Sequence, residues 1–324
     1  MNDSRFPISE SRPVEVIAGV ITDARGRILL ARRTEGRDLA GLWEFPGGKR
    51  EPDETAEAAL ARELREELGI SVEIGERLIR VPHAYPHKRL QLDVRRIEAW
   101  RGTPRGREGQ ALAWAAPTKL PSYPMPSADR PVVAALLQAD RYLVTPGPAD
   151  GTTDAHWLAV LQRALDAGIR RLQLRAPACP PERWCGLVHE AVARCIDAGA
   201  EVLVNGDAQL ATASGAGLHL RHAQLAQFTE HSDLPRPLAA SCHDSASLAT
   251  AQALGCDFAV LGPLQATASH PGAATIGWEG FARMREGVSL PVYAIGGLTP
   301  ADIPTAREHG AQGIAAIRGL WPDR

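Results

Sequence analysis

From residue 142 onward, short apolar runs alternate with longer helical stretches. The apolar runs are YLVT, RRLQLR, AEVLVNG, GLHL, LAASC, FAVLGP, PVYAIGG and GIAAIR. Helical stretches such as HWLAVLQRALDAG, WCGLVHEAVARCIDAG and SASLATAQALG lie between most of them. Eight strands separated largely by helices predict a parallel α/β barrel, a (β/α)8 fold. Such barrels carry their functional groups at the carboxyl ends of the strands.

The N-terminal part of the chain follows a different pattern. The segments VEVIAGVIT (14–22) and GRILLARR (26–33) predict strands around the turn DARG, and RLIRVPHAYPH and RLQLDVRRIEAW predict two more. RPVVAALLQADR (130–141) predicts a closing helix. A chain of 324 residues exceeds the usual size of a single domain. We therefore predict two domains, residues 14–139 and residues 140–324.

Between the strands of the first domain lies the stretch GGKREPDETAEAALARELREELGI, residues 47–70. Leu60, Leu64 and Leu68 recur every four residues among Ala, Glu and Arg, which predicts a helix with one apolar face. Gly69 is a residue that can end such a helix. The two glycines and the lysine at the start of the stretch predict a loop before it.

The polar side of this helix is crowded with carboxylates. Glu63 is a neighbour of both Glu66 and Glu67 on a helix, and like charges at this spacing destabilise it by about 0.2–0.5 kcal/mol. One interpretation is a solvated face on which Arg62 and Arg65 neutralise the glutamates. The other is a site for Mg²⁺, which takes oxygen ligands and bridges carboxylates to substrate phosphates. The loop before the helix favours the metal site.

Nine residues of this stretch match every fixed position of the Nudix box. They are Gly48, Glu54, Arg62, Glu63, Leu64, Glu66, Glu67, Gly69 and Ile70. The first domain thus resembles the Nudix hydrolases. The resemblance implies an α/β/α sandwich with a mixed sheet, and a hydrolase that uses Mg²⁺ or Mn²⁺ to cleave the diphosphate linkage of a nucleoside diphosphate joined to another group.

The segments around the box resemble one Nudix branch, the MutT group. They are LLARRTEGRDLAGLWEFPGGK, GREGQ and PSADRPVVAALL, and the resemblance covers roughly residues 14 to 139. The MutT group hydrolyses oxidised purine nucleoside triphosphates, chiefly 8-oxo-dGTP, to the monophosphate and pyrophosphate. The resemblance implies an enzyme that sanitises the nucleotide pool and prevents replication errors.

The resemblance also implies roles for individual residues. The metal ligands would be Gly48, Glu63, Glu66, Glu67 and Glu108. Glu108 would also orient or deprotonate the attacking water, and Arg62 would orient the carboxylates. Lys49 would contact phosphate, Arg33 would contact the nucleotide, and Phe45 would line the base pocket. The alternatives are a loop acid for Glu108, a surface residue for Arg33 and simple packing for Phe45.

Asp129 departs from the MutT pattern, which has an asparagine that reads the purine edge at this place. Asparagine offers a donor and an acceptor, whereas ionised aspartate only accepts. Asp129 would accept from the N7-H of an 8-oxopurine, or would hydrogen-bond to the base in its protonated form. The departure leaves the preferred base open.

The second domain resembles the thiamine-phosphate synthase and thiazole tautomerase family, with a TIM-type barrel, over roughly residues 142 to 320. The matching pieces are YLVT, QLR, VNGDAQLA, GLHL, SCHD, GPLQATASHPGAATIG and AIGGLTP. Gly296 and Gly297 follow a predicted barrel strand, where glycines let backbone N–H groups approach a phosphate. The resemblance therefore implies a thiamine-related phosphate as a ligand of the barrel.

The charged residues of the synthases are missing from this barrel. Their lysine, metal aspartates and second lysine align with Pro177, Gly206, Gln224 and His270. A diphosphate substrate and its Mg²⁺ would be poorly compensated without those charges, so we do not expect thiamine phosphate synthesis.

A tautomerase needs a phosphate site and an acid/base group, and His243 in SCHD matches the tautomerase histidine. The alternative is that His243 only caps or packs after its strand. His219, His222 and His270 are secondary candidates.

Three functions remain open. The leading one is hydrolysis of oxidised nucleoside triphosphates with the barrel as an accessory, and the second is hydrolysis of thiamine-related diphosphates with the barrel binding the related monophosphate. The third treats the barrel as a scaffold. A net charge of −2 indicates a free nucleotide rather than nucleic acid as partner. The segment MNDSRFPISESRP lacks the apolar run of a secretory signal, so we expect a cytoplasmic protein without a membrane partner.

Overall fold

The computed structural model describes residues 12–149, 151–266 and 274–322. The described chain forms two compact units. The first comprises the residues up to 138 together with 285–289 and 307–310, and the second comprises the remaining residues. His270, one of the predicted candidates, lies outside the described residues.

In its described residues the first unit contains two sheets. Its elements are β1 (Val14–Ile21), β2 (Ile28–Arg32), β3 (Trp43–Glu44), β4 (Gly47–Lys49), α1 (Ala56–Leu68), β5 (Ser71–Tyr85), β6 (Lys88–Arg101), β7 (Leu112–Ala115) and α2 (Arg130–Leu137). One sheet has the order β4-β1-β6-β5 and is mixed, because β1 runs parallel to β6 and antiparallel to β4. The other has the antiparallel order β3-β2-β7. The predicted mixed-sheet sandwich is confirmed.

Helix α1 begins and ends at the residues that the sequence indicates. The Thr55 hydroxyl caps its first turn by accepting from the Ala58 N–H at 3.1 Å, and Gly69 ends it with a φ of 71°. The leucines at 60, 64 and 68 are buried, and they pack with residues of β1 and β2 in one core cluster. Because this face is fixed on the sheets, the glutamates on the other side of α1 have a defined position.

In the described residues of the second unit, eight parallel strands close a barrel in chain order. They are β8 (Arg141–Val144), β9 (Arg171–Leu174), β10 (Glu201–Asn205), β11 (Gly217–Leu220), β12 (Leu238–Cys242), β13 (Phe258–Leu261), β14 (Val292–Ile295) and β15 (Gly313–Ala316). The helices are α3 (Asp154–Asp166), α4 (Pro181–Asp197), α5 (Ala208–Ser214), α6 (Ser245–Ala253), α7 (Gly277–Arg285) and α8 (Ile303–Glu308). The predicted (β/α)8 barrel is confirmed.

A buried arginine stands inside this barrel. Arg171 is 4% exposed, its Nε donates to Glu201 at 2.7 Å, and its Nη1 donates to the Tyr293 hydroxyl at 2.8 Å. Its guanidinium carbon also lies 4.3 Å from the centre of the Phe258 ring. These contacts compensate the charge of Arg171, so the cation can be part of the barrel core.

Candidate active site

Arg62 joins the loop before α1 to the acidic side of the helix. Its Nε and Nη2 donate to the Glu54 carboxylate at 2.8 and 2.9 Å, and its Nη1 donates to Glu63 at 2.8 Å. Nη1 also lies 3.3 Å from Glu66, and Nη2 donates to the Lys49 carbonyl at 3.2 Å. The hydrogen bonds from Arg62 hold the pKa of Glu54 down at about 2. Arg62 thus has the contacts expected of an orienting residue, whereas Lys49 itself is exposed.

Gly48 on β4 lies directly against the carboxylate of Glu63. A Cβ at Gly48 would stand 2.3 Å from Glu63 Oε2, which no side chain tolerates without movement of the carboxylate. Gly48 pairs with Ile17 of β1, so the position of its backbone is set by the sheet. The structure therefore brings together a backbone segment and a carboxylate that the sequence predicts as metal ligands.

Glu67 is the buried member of the acidic group, with 8% of its surface exposed. Burial raises the pKa of its carboxyl to about 7, and the charges of Glu108 and Glu63 act in the same direction. Arg37 acts against them, because its Nη1 lies 3.6 Å from Glu67 Oε1 and its Nη2 donates to the Glu108 carboxylate. Arg37 was not predicted as a site residue, since no local pattern marks a contact between residues so far apart in the chain.

The segment that carries Glu108 is attached to the C-terminal end of α1. The Arg107 N–H and the Gln110 side-chain amide both donate to the Glu67 carbonyl, at 2.9 and 3.1 Å. The Glu108 N–H donates to Gln110 Oε1 at 2.8 Å. These hydrogen bonds bring Glu108 to the side of the helix on which Glu67 lies, as the resemblance implies.

Within residues 12–149, 151–266 and 274–322, no group of three His, Cys, Asp or Glu side chains is arranged to hold a metal ion. The donor chemistry nevertheless fits Mg²⁺ or Mn²⁺: the predicted ligands are oxygens, and the carboxylate charges of Glu63 and Glu108 raise the pKa of Glu67. Arginines pair with the carboxylates on both sides, Arg62 with Glu63 and Arg37 with Glu108. The metal-ligand assignment stays a prediction.

A second cluster lies around Asp129, immediately before α2. Asp129 is 6% exposed, and the Phe45 N–H lies near enough to act on the pKa of its carboxyl. Burial raises the pKa of Asp129 to about 8, and the negative charge of Glu44 adds to this increase. Glu44 pairs with Arg33, whose Nε also donates to the Asp38 carbonyl at 2.6 Å. Arg33 is therefore not a free surface residue.

Phe45 itself is 3% exposed and packs in the core cluster of the first unit, which is the packing alternative considered for it. Its backbone N–H rather than its ring contacts Asp129. Glu44 is a site residue that the sequence analysis missed, although it stands in the same WEFPGGK segment. Neighbouring residues in extended backbone point to opposite faces, so only one of Glu44 and Phe45 can lie in the core. This alternation is the signal that could have identified Glu44.

In the barrel, polar side chains from five consecutive strands form one hydrogen-bonded chain. The Asn205 amide donates to Gln173 at 3.2 Å, and the Gln173 amide donates to the Tyr142 hydroxyl at 3.4 Å. Tyr142 lies 3.0 Å from His219 Nδ1, and His219 Nε2 lies 2.8 Å from the Ser241 hydroxyl. Burial lowers the pKa of His219 to about 3, so its ring is neutral.

His243 follows β12, at its carboxyl end, and is exposed. Its Nδ1 lies 2.8 Å from the Gly262 carbonyl, and because a carbonyl only accepts, Nδ1 carries the proton. Nε2 is then the ring atom with a free lone pair, as an acid/base group needs. The ring of His222 lies 5.0 Å from that of His243.

Gly296 and Gly297, which follow β14, lie in backbone conformations that favour glycine. Gly296 and Gly297 have φ values of 128° and 71°, and a Cβ at Gly296 would lie 2.6 Å from the Leu264 N–H nitrogen. The close approach that the structure shows at Gly296 is therefore to another loop of the barrel. The phosphate-binding role of the two residues stays a prediction.

An arginine occupies the place where the synthases carry a metal aspartate. Gly206 has a φ of 70°, and a Cβ there would lie 2.5 Å from Arg221 Nε. Gln224, at the place of the second metal aspartate, donates to the Gly206 carbonyl at 3.0 Å. Pro177 is exposed. The described part of the barrel mouth thus presents a cation where the synthase pattern requires carboxylates.

Both units are similar to known protein families. Residues 17–135 match the family described as NUDIX domain, and residues 141–320 match the family described as thiamine monophosphate synthase. The CTP pyrophosphohydrolase of Escherichia coli K12 is 42% identical over 137 residues, which cover 42% of this chain and 98% of that protein. The 8-oxo-dGTP diphosphatase of Haemophilus influenzae is 38% identical over 128 residues, covering 40% and 94%.

A relative of the second unit is the thiamine-phosphate synthase of Methanoregula boonei. It is 31% identical over 188 residues, which cover 57% of this chain and 86% of that protein. In the part of the chain that the structure describes, the helices are too short or too polar to cross a membrane.

Proposed function

Since the chain belongs to the Nudix family through residues 17–135 and to the thiamine monophosphate synthase family through residues 141–320, we propose a hydrolase of nucleoside triphosphates that carries a barrel with lost synthase chemistry. Residues 14–139 hydrolyse the nucleotide to its monophosphate and pyrophosphate, with 8-oxo-dGTP as the preferred substrate. Residues 140–324 form the accessory domain. Relatives of the first unit named CTP pyrophosphohydrolase and 8-oxo-dGTP diphosphatase support this proposal.

The observation that carries the proposal is the arrangement of carboxylates on α1, where Arg62 joins Glu54 to Glu63 and Gly48 lies against the Glu63 carboxylate. Glu67 is buried beside them, and burial raises the pKa of its carboxyl when no metal is bound. Glu67 or the adjacent Glu108 accepts the proton of the attacking water, while Arg62 holds Glu63 in place. A divalent cation, held by Gly48, Glu63, Glu66, Glu67 and Glu108, would supply positive charge against the triphosphate.

Base recognition is assigned to Asp129 and its neighbours. A protonated carboxyl offers one donor and one acceptor, as the asparagine of the MutT group does. A pKa of about 8 keeps that proton on Asp129 at neutral pH. Protonated Asp129 can therefore donate to an oxygen of an oxidised purine, whereas ionised Asp129 favours the amino group of cytosine. The similarity to a CTP pyrophosphohydrolase makes cytidine triphosphate the second candidate substrate.

The Asp129→Asn variant tests this assignment. At pH 6.5 we expect kcat/KM for 8-oxo-dGTP within about threefold of the wild type, because both side chains donate and accept. As the pH rises through 8, Asp129 loses its proton, so the wild type falls about tenfold below the variant. The ratio of the two enzymes at pH 6.5 and 9 is measured, since the ratio cancels the pH dependence of the chemical step. A ratio that is constant with pH contradicts the assignment.

Asp129 also predicts a change in stability that does not depend on substrate. Its pKa in the folded protein is above the ordinary value of 3.8, so its contribution to stability is lost as the pH rises from about 4 to 8. The Asp129→Asn variant has no ionising carboxyl at this position, so it does not lose this stability as the pH rises. We expect its Tm to exceed that of the wild type by more at pH 8 than at pH 5, as measured by differential scanning fluorimetry.

The substrate assignment is tested with a panel of nucleotides in the presence of Mg²⁺. Pyrophosphate and monophosphate release is measured for 8-oxo-dGTP, dGTP, CTP, ADP-ribose and thiamine diphosphate, with Glu67→Gln as the inactive control. Selectivity for 8-oxo-dGTP over dGTP supports the sanitising function. A preference for thiamine diphosphate supports the alternative in which both units serve thiamine-related phosphates.

For the barrel we predict no thiamine-phosphate synthase activity. The cation of Arg221 lies where the reaction requires metal-binding carboxylates, so the diphosphate of the substrate lacks its Mg²⁺ site. Thiamine phosphate formation from the pyrimidine diphosphate and the thiazole phosphate is measured, with the Methanoregula boonei relative as the positive control. Product formation at a rate comparable to that of the control contradicts the prediction.

Binding to the barrel is a separate question, because a phosphate site can remain without the chemistry. A thermal-shift measurement of the full chain with thiazole phosphate and thiamine phosphate tests it. An increase in Tm that His243→Ala reduces supports a tautomerase-like site. No increase with either compound supports the scaffold role.

A further inference from the structure

The loop of residues 34–41 connects the two parts of the proposed active site, and we call it the Arg37 loop. Gly36, Leu39 and Gly41 have left-handed backbone conformations, with φ values of 83°, 59° and 84°. The loop is fixed at its ends, because Arg33 Nε donates to the Asp38 carbonyl at 2.6 Å and Arg32 Nε donates to the Gly41 carbonyl at 3.1 Å. Contacts made by residues other than Arg37 therefore define the path of the loop.

A further attachment lies on the side of Asp38. Its carboxylate accepts from Lys88 and lies 3.5 Å from His87 Nε2, and the hydrogen bond from Lys88 lowers the pKa of Asp38. The contacts of Asp38 hold the loop from the side of β6. Arg37, the neighbouring residue, points instead toward Glu67 and Glu108.

Arg37 lies between the cluster around Asp129 and the acidic group that contains Glu67 and Glu108. Its guanidinium contacts both Glu67 and Glu108, and its charge also acts on Glu44, the partner of Arg33. A triphosphate whose base lies at Asp129 and whose reacting phosphorus lies at Glu67 must pass through the same region. Arg37 is therefore placed where the charge of the phosphates accumulates.

The contacts of Arg37 also have a consequence for metal binding. Because the Arg37 guanidinium pairs with the carboxylates of Glu67 and Glu108, its positive charge repels a divalent cation at the same oxygens. Conversely, once those charges are compensated, the planar guanidinium is free to bind phosphate oxygens in a bidentate way. The side chain is 48% exposed, so no core packing prevents this exchange.

We propose that Arg37 pairs with Glu67 and Glu108 before a divalent cation binds them, and that it then pairs with the triphosphate of the substrate. This inference rests on the proposed hydrolysis of nucleoside triphosphates. Arg37 is thus a substrate-binding residue whose availability depends on the metal. Metal binding therefore precedes substrate binding, because the Arg37 guanidinium is free to bind the phosphates only after the carboxylates have bound the divalent cation.

The test compares Arg37→Gln, Arg37→Lys and Arg25→Gln, the last of which removes the same charge from an exposed turn. Mn²⁺ binding to each full-length protein is measured by electron paramagnetic resonance without nucleotide. We expect Arg37→Gln to bind Mn²⁺ about threefold to tenfold more tightly, because the competing cation is gone. Arg25→Gln should bind as the wild type does.

Kinetics on the same proteins separate substrate binding from chemistry. For Arg37→Gln we expect KM to rise about tenfold with kcat within about threefold, and for Arg37→Lys we expect a partial recovery of KM. Unchanged Mn²⁺ affinity or unchanged KM in Arg37→Gln overturns the inference and leaves a surface ion pair. Failure of the proposed function is recognised separately, because the wild type would then release no pyrophosphate from nucleoside triphosphates and Glu67→Gln would bind Mn²⁺ as the wild type does.

Discussion

Replacing Glu67 with glutamine lowers kcat for nucleoside triphosphates by about a thousandfold, because the variant loses both a proton acceptor and a charge opposite the metal. The same change stabilises the fold when no metal is present. Glu67 is buried with a pKa of about 7, above the ordinary 4.5, so its ionisation costs stability as the pH rises from about 4.5 to 7. At pH 8 the difference corresponds to about 3 kcal/mol in favour of glutamine.

The measurement combines steady-state kinetics with thermal unfolding in the presence of a chelator, at pH 5 and pH 8. Glu76→Gln is the matched control, because Glu76 lies on β5 with its side chain 81% exposed. The control should change neither kcat nor Tm. Loss of activity together with a lower Tm would mean that Glu67 supports the fold rather than the reaction.

Replacing Gly48 with alanine lowers activity by about a hundredfold and leaves the fold intact, because a displacement of about 1 Å at a reacting group has this cost. The added Cβ meets the end of the flexible Glu63 side chain, 2.3 Å away, and the carboxylate can move aside. Gly48 does not have a positive φ, so alanine adds no backbone strain. The variant therefore separates the geometry of the site from the stability of the unit.

Gly47→Ala is the informative comparison for this experiment. Gly47 has a φ of 152°, and a Cβ there would lie 2.1 Å from the Ile17 carbonyl oxygen, which belongs to the sheet and cannot move aside. We expect a loss of about 3 kcal/mol in the free energy of unfolding for this variant. Measuring Tm and kcat/KM for both variants distinguishes the two effects. Equal losses of Tm would contradict the assignment of Gly48 to the site.

Much of this fold could be predicted because its signals are local. The strands of the barrel are short apolar runs, and all eight are present in the described residues at the predicted places. The strands that were not predicted, Trp43–Glu44, Gly47–Lys49 and Leu112–Ala115, have two to four residues. The prediction of a loop at Gly47–Lys49 was wrong, because these residues pair with β1. So short a strand has no periodicity of its own, and its conformation comes from pairing with β2 and β1.

The residues of the candidate site also divide into those with a local signal in the sequence and those placed by tertiary contacts. Glu63, Glu66 and Glu67 share one helix, so their spacing in the sequence is also their spacing in space. Arg37 and Glu44 were missed because their partners are fixed by tertiary contacts; Arg37 and Glu108 are 71 positions apart in the chain. The departure at Asp129 was recognised from the resemblance, but its protonation depends on burial, which no single-residue pattern reveals.

The polar chain inside the barrel has a direction. Gln173 donates to Tyr142, and in the tautomer with His219 Nδ1 unprotonated the Tyr142 hydroxyl donates in turn to Nδ1. A neutral His219 then has its remaining proton on Nε2 and donates to Ser241. The Ser241 hydroxyl keeps its own proton for an outside acceptor, and the Asn205 carbonyl oxygen remains to accept at the opposite end. The two ends of this chain therefore differ, because Ser241 offers a hydrogen-bond donor at one end and the Asn205 side chain offers an acceptor at the other.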